Sequence, residues 1–338
     1  MAQCINVIDI NGDCESLLPL VSVLIPLYNH ERYIVQCLES IVADGYPCIE
    51  IIIVDDGSVD ASLANIREWH NVNSHRFQGR FDVTSRENRG LTRTLNELVR
   101  MASGQFLVIL ASDDYLLPGG IRARLDYLLA NSSKMAVIGD CIVVNQDGVK
   151  MHDSGLEGHH RGRKSFLSHE KLIDYEIVFH WCVPGPVFMA RRELYPFVGY
   201  YDETISVEDR DFFLRIVVLN LLGFVDFPVA AYRIHTGSFS QDSRRHLSYN
   251  QAMLVSITKN YGSFRGIRKI YLYALRLRFK GLIARMERRD RLKGHFYRTL
   301  GHYVSMLAKL CYDMAALVIL AITSLRNGKT LPRGRRFF

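Results

Sequence analysis

The run Phe106-Leu107-Val108-Ile109-Leu110-Ala111-Ser112 ends in two adjacent carboxylates, Asp113 and Asp114, before Tyr115 and Pro118. Side by side, two carboxylates repel unless a cation or a donor-rich ligand lies between them. Hard oxygen ligands of this kind suit Mg²⁺ or Mn²⁺ carrying a substrate phosphate. A solvated turn is the competing reading, since Ser, Asp and Pro are ordinary residues after a strand. A second pair, Asp55-Asp56, closes another apolar run and is followed by Gly57-Ser58, where turn chemistry competes again. A third acidic group, Glu208-Asp209-Arg210-Asp211, opens a helical pattern carrying Phe212, Phe213, Ile216 and Val217. Acids in a first turn meet the positive end of the helix dipole, which suffices for Asp211. Further on, Tyr232-Arg233-Ile234-His235-Thr236-Gly237-Ser238-Phe239-Ser240 adds a cation and an imidazole, although a lone His is more often packed or on the surface.

These groups need elements to place them. The apolar run before Asp113, bounded by Gly104 and Pro118-Gly119-Gly120, reads as a strand buried on both faces that delivers both carboxylates to its C-terminal edge. In an open α/β sheet that edge is where ligands bind. Residues 21–29 form a first strand stopped by Pro26 and Asn29, and Ile34, Cys37, Leu38 and Ile41 then fall on one helical face, with Asn29 or His30 able to cap it. Residues 49–54 make a second strand. Ser58 or Asp60 can cap the helix after it, which bears Leu63, Ile66 and Trp69. A strand over 81–85, the turn Glu87-Asn88-Arg89-Gly90 and a helix with Leu91, Leu95, Leu98 and Val99 complete the alternation. Four strand–helix alternations with short connections predict a parallel sheet with helices on its faces. No GxGxxG or GxxxxGK[ST] follows any strand, so phosphates must be held by metal and side chains.

Beyond Tyr115 a helix over 121–130 and a strand over 135–144 lead into a hairpin-like turn at Asn145-Gln146-Asp147-Gly148. The polar stretch His152 to His169 reads as a mobile loop. Trp181, in the rigid turn ending Pro184-Gly185-Pro186, is either a core residue or an aromatic face open to a ligand.

Composition bounds the class. With 338 residues, 48% of them apolar and 23% charged, the chain is globular and has room for a large α/β domain plus an appendage. The seven cysteines show no CxxC pair, which argues against a zinc site or a disulfide framework. Residues 1–16 carry Asp9, Asp13 and Glu15 without a basic start and apolar core, so they do not read as a secretory signal. The net charge of +7 is uneven, because residues 262–338 hold 18 Lys/Arg against Glu287, Asp290 and Asp313. The preceding part is therefore acidic, which excludes a nucleic-acid binder of the usual kind. In the basic tail, Leu275, Phe279, Leu282, Ile283 and Met286 form an apolar stripe with Arg278, Arg285 and Arg289 off it, as on an amphipathic helix at a membrane surface. The uncharged stretch 314–325 has 12 residues, fewer than the roughly 20 that span a bilayer.

Taken together, residues 21–29, Val54-Asp55-Asp56-Gly57-Ser58, Asn88-x-Gly90 followed by Asn96, and Ser112-Asp113-Asp114 with Pro118 resemble the nucleotide-sugar half of the inverting family 2 glycosyltransferases of GT-A fold. The match in order and spacing runs over about residues 20–245. It implies an α/β, Rossmann-like, mostly parallel sheet flanked by helices, with a basic helical C-terminal appendage outside the pattern. Residues 1–18 are then an N-terminal extension and 19–248 the catalytic domain, with a nucleotide half over 19–120 and an acceptor half over 121–248; the basic region is 249–338.

The resemblance also assigns roles. Asp56 holds the nucleobase, Asp113 lies near the ribose and Asp114 binds the metal, with Pro26, Tyr28, Asn29, Asp55, Asn88 and Gly90 framing the nucleotide. Asp209 of the Glu208-Asp209 pair is the general base, Arg233 lies at the diphosphate, and His235 is a metal ligand or phosphate donor. Trp181 faces the acceptor. Many members carry an Asp where this chain has Ala111 or Ser112, which implies a leaner metal site. The expected function is transfer of a sugar from a nucleoside diphosphate donor, UDP-linked, to a glycan or lipid-linked oligosaccharide in bacterial polysaccharide assembly, with Mn²⁺ or Mg²⁺. The expected place is the cytoplasmic face of an anionic membrane. Transfer to a polyprenyl phosphate and nucleotide-sugar binding without catalysis are the alternatives, and intact Asp114 and Asp209 argue against the second.

Overall fold

The computed structural model describes residues 18–77, 79–235, 246–287 and 291–326. The chain divides into two compact units, Met1–Arg244 and Arg245–Phe338. In the first unit the order is β1 (Val21–Leu27), α1 (Ile34–Ala43), β2 (Ile49–Asp55), α2 (Ser62–Asn73), β3 (Phe81–Ser85), α3 (Leu91–Met101), β4 (Phe106–Ile109), β5 (Tyr115–Leu116) and α4 (Gly120–Ala130). Then come β6 (Ala136–Asn145), β7 (Lys150–His152), α5 (Lys164–Leu167), α6 (Ile173–Phe179), β8 (Phe188–Arg191), α7 (Leu194–Val198), α8 (Glu208–Val218) and β9 (Leu222–Ile234). The second unit holds α9 (His246–Asn260), α10 (Gly266–Met286) and α11 (Arg291–Arg326).

One sheet of nine strands runs in the order β3-β2-β1-β4-β8-β6-β9-β5, with β7 paired to β6. Pairing is parallel across β3-β2-β1-β4 and between β6 and β9, and antiparallel elsewhere. The apolar runs explain the central strands. β2 is buried along its whole length, and Val21, Val23, Leu24 and Ile25 of β1 are inaccessible. In α1, Ile34, Cys37, Leu38 and Ile41 are all fully buried, each aliphatic side chain contributing about 1.5–3 kcal/mol relative to exposure. Leu95, Leu98 and Val99 bury the inner face of α3, whereas Leu91 at its start is exposed.

Several local expectations are corrected. β1 stops at Leu27, and the residue before α1 is Tyr33, so neither Asn29 nor His30 caps that helix. Asn29, at φ +53°, instead ties β1 to the loop after β2: its Oδ1 accepts from Val59 N at 2.9 Å and its N–H donates to Ser58 Oγ at 2.8 Å. The stretch 152–169 is anchored rather than loose. Leu156 is fully buried, Lys164 bridges Asp140 at 2.7 Å and Asp226 at 2.8 Å, and Arg163 pairs with the buried Glu176 at 2.5 Å. In the tail the stripe is different from the expected one: Leu275 is buried but Met286 is exposed. The apolar stretch is also longer, because α11 runs for 36 residues and Leu292–Thr323 is long and apolar enough to cross a membrane. The Ser238-x-Ser240 part of the motif near His235 lies outside the described residues.

A buried carboxylate fixes the N-terminal edge of the sheet. Glu50 on β2 accepts from Ser22 Oγ at 2.5 Å and from the Ser103 and Gly104 amides at 2.6 and 3.1 Å, tying β1, β2 and the entry to β4 together. Replacing it strands these donors, each at a cost of about 1–3 kcal/mol when buried. We expect Glu50→Ala to lower stability by about 3 kcal/mol in a urea titration, with nucleotide binding retained wherever the variant is folded.

Candidate active site

The strand order reverses at β1, so the loops after β1 and β4 leave the sheet edge on either side of a crevice. Three side chains converge there. His30 follows β1, Asp113 follows β4, and His235 directly follows β9; their ligand-capable atoms all lie within 4.8 Å of one another. His235 Nε2 is 2.9 Å from Asp113 Oδ2, and His30 Nδ1 is 3.9 Å from Asp113 Oδ1. The buried Ser112 hydroxyl lies 2.7 Å from His30 Nδ1 and fixes that ring. Tyr33 walls the group, its ring centroid 5.1 Å from His235 and 6.0 Å from His30. Burial works against an ionised Asp113, but the hydrogen bond to His235 and the proximity of His30 hold its carboxyl below the ordinary range. Burial lowers the pKa of His30, against the pull of Asp113, and leaves its imidazole neutral with a lone pair to offer. Two imidazoles and a carboxylate in one crevice could hold a divalent metal ion.

The neighbouring carboxylate behaves in the opposite way. Asp114 is 3% exposed and its Oδ1 accepts the Arg233 amide at 2.8 Å. Burial first, and the negative charge of Asp113 second, push its pKa well above the carboxylate range, which disfavours its charged form. Arg233 is buried as well. Its guanidinium donates to the carbonyls of Asp113 (2.8 Å), Asn145 (3.1 Å) and Gln146 (3.3 Å) and to Gln36 Oε1 (2.6 Å), and stacks 4.8 Å over Tyr33. The sequence expectation of Asp114 at a metal and Arg233 at a diphosphate thus meets a geometry in which both are turned into the protein.

The nucleotide-side residues cluster at the edges of β1, β2 and β3. Asp55 is fully buried and accepts from Ser85 Oγ at 2.7 Å and Ser58 N at 3.1 Å. Asp56 accepts from the Arg86 guanidinium, from Arg89 N at 2.7 Å and from Gly90 N at 2.9 Å, which folds the 86–90 loop against the end of β2. Gly90, at φ +88°, makes that turn possible. Pro26 is half-buried, and Tyr28, Asn29 and Asn88 are exposed around the opening.

Glu208 and Asp209 stand in the first turn of α8. Arg210 clamps that turn by donating to Ile177 O at 2.8 Å and Val178 O at 2.9 Å, and it stacks 5.0 Å over Trp181. Trp181 is half-buried, edge-on to Phe213 at 5.4 Å, so it is a packed residue with one partly open face. From Trp181 the chain runs to Gly185, where a Cβ would lie 3.9 Å from Asp114 Oδ2, so one short segment links the acid pair to the crevice. Asp209 is solvent-exposed yet flanked by protein, and that crowding raises its pKa against the opposing Arg210. Burial and the charge of Asp209 push Glu208 up to about 8. Asp211 is buried and accepts from Arg215 Nε at 3.2 Å, a structural role. Neither His30 nor Tyr33 stands out in the sequence; the signal available was the position of His30 just past the first strand, and its partner Ser112 belongs to the Ser112-Asp113-Asp114 motif.

The sheet reverses its strand order at the edge where His30, Asp113 and His235 meet, a place where α/β folds bind ligands, and comparison with known proteins identifies the family. The sequence profile of glycosyl transferase family 2 matches residues 22–195, and the chain belongs to that family. It is 30% identical to the glycosyltransferase EpsH of Bacillus subtilis over 68% of this chain and 65% of EpsH. To the chondroitin synthase of Escherichia coli it is 39% identical, over 59% of this chain and 26% of that protein. The chain thus spans less than two thirds of either relative. Among solved structures, S. aureus TarS 1-349 in complex with UDP-GlcNAc has the same fold, with a TM-score of 0.58 and 17% identity over 92% of this chain and 93% of that one.

The raised pKa of Glu208 has a sign that can be checked. Its folded value, about 8, lies above the 4.5 of an ordinary Glu, so the folded state favours the protonated form. The wild type therefore loses stability relative to Glu208→Gln as pH rises from 4.5 through 8, and the gap stops widening above 8. Melting temperatures of the two proteins at acid, neutral and alkaline pH should match at the acid end and diverge at the alkaline end.

Proposed function

We propose that the chain is a glycosyltransferase that moves a sugar from a nucleoside diphosphate donor, with UDP as the nucleotide, to a hydroxyl of a glycan or lipid-linked oligosaccharide, inverting the anomeric centre. The observation that carries this reading is the convergence of His30, Asp113 and His235 at the switch point of a family 2 fold. The UDP-GlcNAc bound to TarS supports the donor, and the polysaccharide named in chondroitin synthase supports a glycan acceptor. Bacterial surface-polysaccharide assembly at the cytoplasmic face of the membrane is the setting, with the anionic lipid surface a partner of the basic tail.

The donor lies in the crevice, its nucleotide framed by Pro26, Tyr28, Asn29, Asp55, Asp56, Asn88 and Gly90. His30, Asp113 and His235 would hold Mn²⁺ or Mg²⁺, which supplies positive charge to the departing diphosphate. His30 then makes up for the carboxylate missing at Ala111, and Asp113 takes the place first given to Asp114. Arg233 positions the crevice and does not touch phosphate. Asp209 accepts the proton of the acceptor hydroxyl as its oxygen bonds to the anomeric carbon and the carbon–oxygen bond to the diphosphate breaks; the nucleoside diphosphate leaves with that electron pair. Attack opposite the leaving group inverts the centre. Glu208, protonated at neutral pH, keeps a second charge away from Asp209, and the open face of Trp181 meets the acceptor.

Two experiments test this. Calorimetric titration of Mn²⁺ with UDP should lose metal dependence in Asp113→Asn and keep it in Asp114→Asn, whose Oδ1 still accepts from Arg233; the reverse pattern would return the metal to Asp114. In a donor-turnover assay Asp209→Asn should leave donor affinity unchanged and lower turnover by about 10²–10⁴-fold. Near-normal turnover would remove Asp209 as the base.

A further inference from the structure

The second unit carries a surface that sugar transfer does not use. α10 and α11 pack antiparallel along small residues: a Cβ on Gly301 would lie 2.5 Å from Ala274 O, and one on Gly281 would lie 2.6 Å from Gly294 O. At helical spacing from Gly301, Ser305, Ala308, Tyr312 and Ala316 are buried. The outer side of α11 instead presents Phe296, Tyr303, Leu307, Leu310, Met314 and Leu317, all between 47% and 63% exposed. Only 17% of its most apolar window is buried, which distinguishes α11 from a core helix. A continuous stripe of this length is more apolar surface than a soluble monomer ordinarily leaves to water.

Charge decides what covers it. α10 carries Arg268, Lys269, Arg276, Arg278, Lys280 and Arg285 with no acid in its span, and the sequence after α11 holds Lys329, Arg333, Arg335 and Arg336. Two copies of so cationic a hairpin repel each other, whereas anionic lipid headgroups attract it. A path across the bilayer would place these two cationic flanks on opposite sides, against the bias that keeps Lys and Arg on the cytoplasmic side, and would draw Lys309 and Asp313 into the hydrocarbon. A path in the plane of one leaflet avoids both costs. We propose that the α10–α11 hairpin lies flat in an anionic leaflet, the outer face of α11 at the acyl boundary and the cations at the headgroups, without crossing. This rests on the reading of the tail as membrane-facing and is independent of the chemistry given to Asp113 and Asp209.

The test uses the full chain with sealed vesicles of phosphatidylcholine, alone or with phosphatidylglycerol. Sedimentation should require phosphatidylglycerol and fall by about tenfold in Leu307→Glu/Leu310→Glu, whose circular dichroism stays that of the wild type. Trypsin added outside should still cleave bound protein after Arg333, Arg335 and Arg336, read by mass spectrometry of the released peptides. A C-terminal segment protected until detergent is added would show a span and overturn the proposal. So would equal binding to both vesicle types, binding untouched by the double substitution, or no vesicle binding together with a dimer that the same substitution dissociates in ultracentrifugation. Donor turnover is read separately, so failure of the enzymatic reading leaves this result intact and the converse also holds.

Discussion

The crevice depends on the contact between Arg233 and the β4–β5 turn. Asp113 and Asp114 are adjacent, and both cannot carry charge in a site this crowded without a cation between them. The fold resolves the conflict by direction. Asp114 turns inward to the amide of Arg233, where burial disfavours its charge; Asp113 turns outward, where His235 and His30 favour its charge. The guanidinium of Arg233 completes the arrangement by gathering carbonyls from the β4–β5 turn and the β6–β7 turn and the amide of Gln36 on α1. One buried cation thereby sets the distance between the loop after β4 and the end of β9, and hence the place of His235. Such a network costs little when every donor is met and a great deal when one is not.

The acid pair on α8 is likewise set by an arginine. Arg210 fixes the first turn of the helix to the end of α6, and both Glu208 and Asp209 are crowded by the surrounding protein. That crowding raises the pKa of both carboxyls, and the charge of Asp209 adds to the rise at Glu208, which reaches about 8.

Much of this was legible in the sequence. Unbroken apolar runs gave β1, β2 and β4, because a strand buried on both faces leaves no polar alternation to misread, and the spacing of Ile34, Cys37, Leu38 and Ile41 gave the inner face of α1. The carboxylates after β2 and β4 lie where the runs end. What the sequence withheld was direction. Which of two adjacent Asp side chains faces the crevice is decided by an amide 119 positions away, and no local pattern encodes it. The partners of Arg233 are hidden for a related reason, since the carbonyls it meets come from turns distant in sequence. His30 was passed over because a single His carries no pattern. In the tail, Lys309 and Asp313 interrupt the apolar count four residues apart, although on a helix they share one side and leave the stripe from Phe296 to Leu317 unbroken.

In the proposed enzyme a divalent metal would sit with His30, Asp113 and His235 while Asp114 stays inside the protein. Crystals grown with UDP and Mn²⁺, measured for anomalous scattering, test it most directly. A peak within coordination distance of the two imidazoles and Asp113, with Asp114 still accepting from the Arg233 amide, is the predicted result. A peak on Asp114, or one that excludes both histidines, would contradict it.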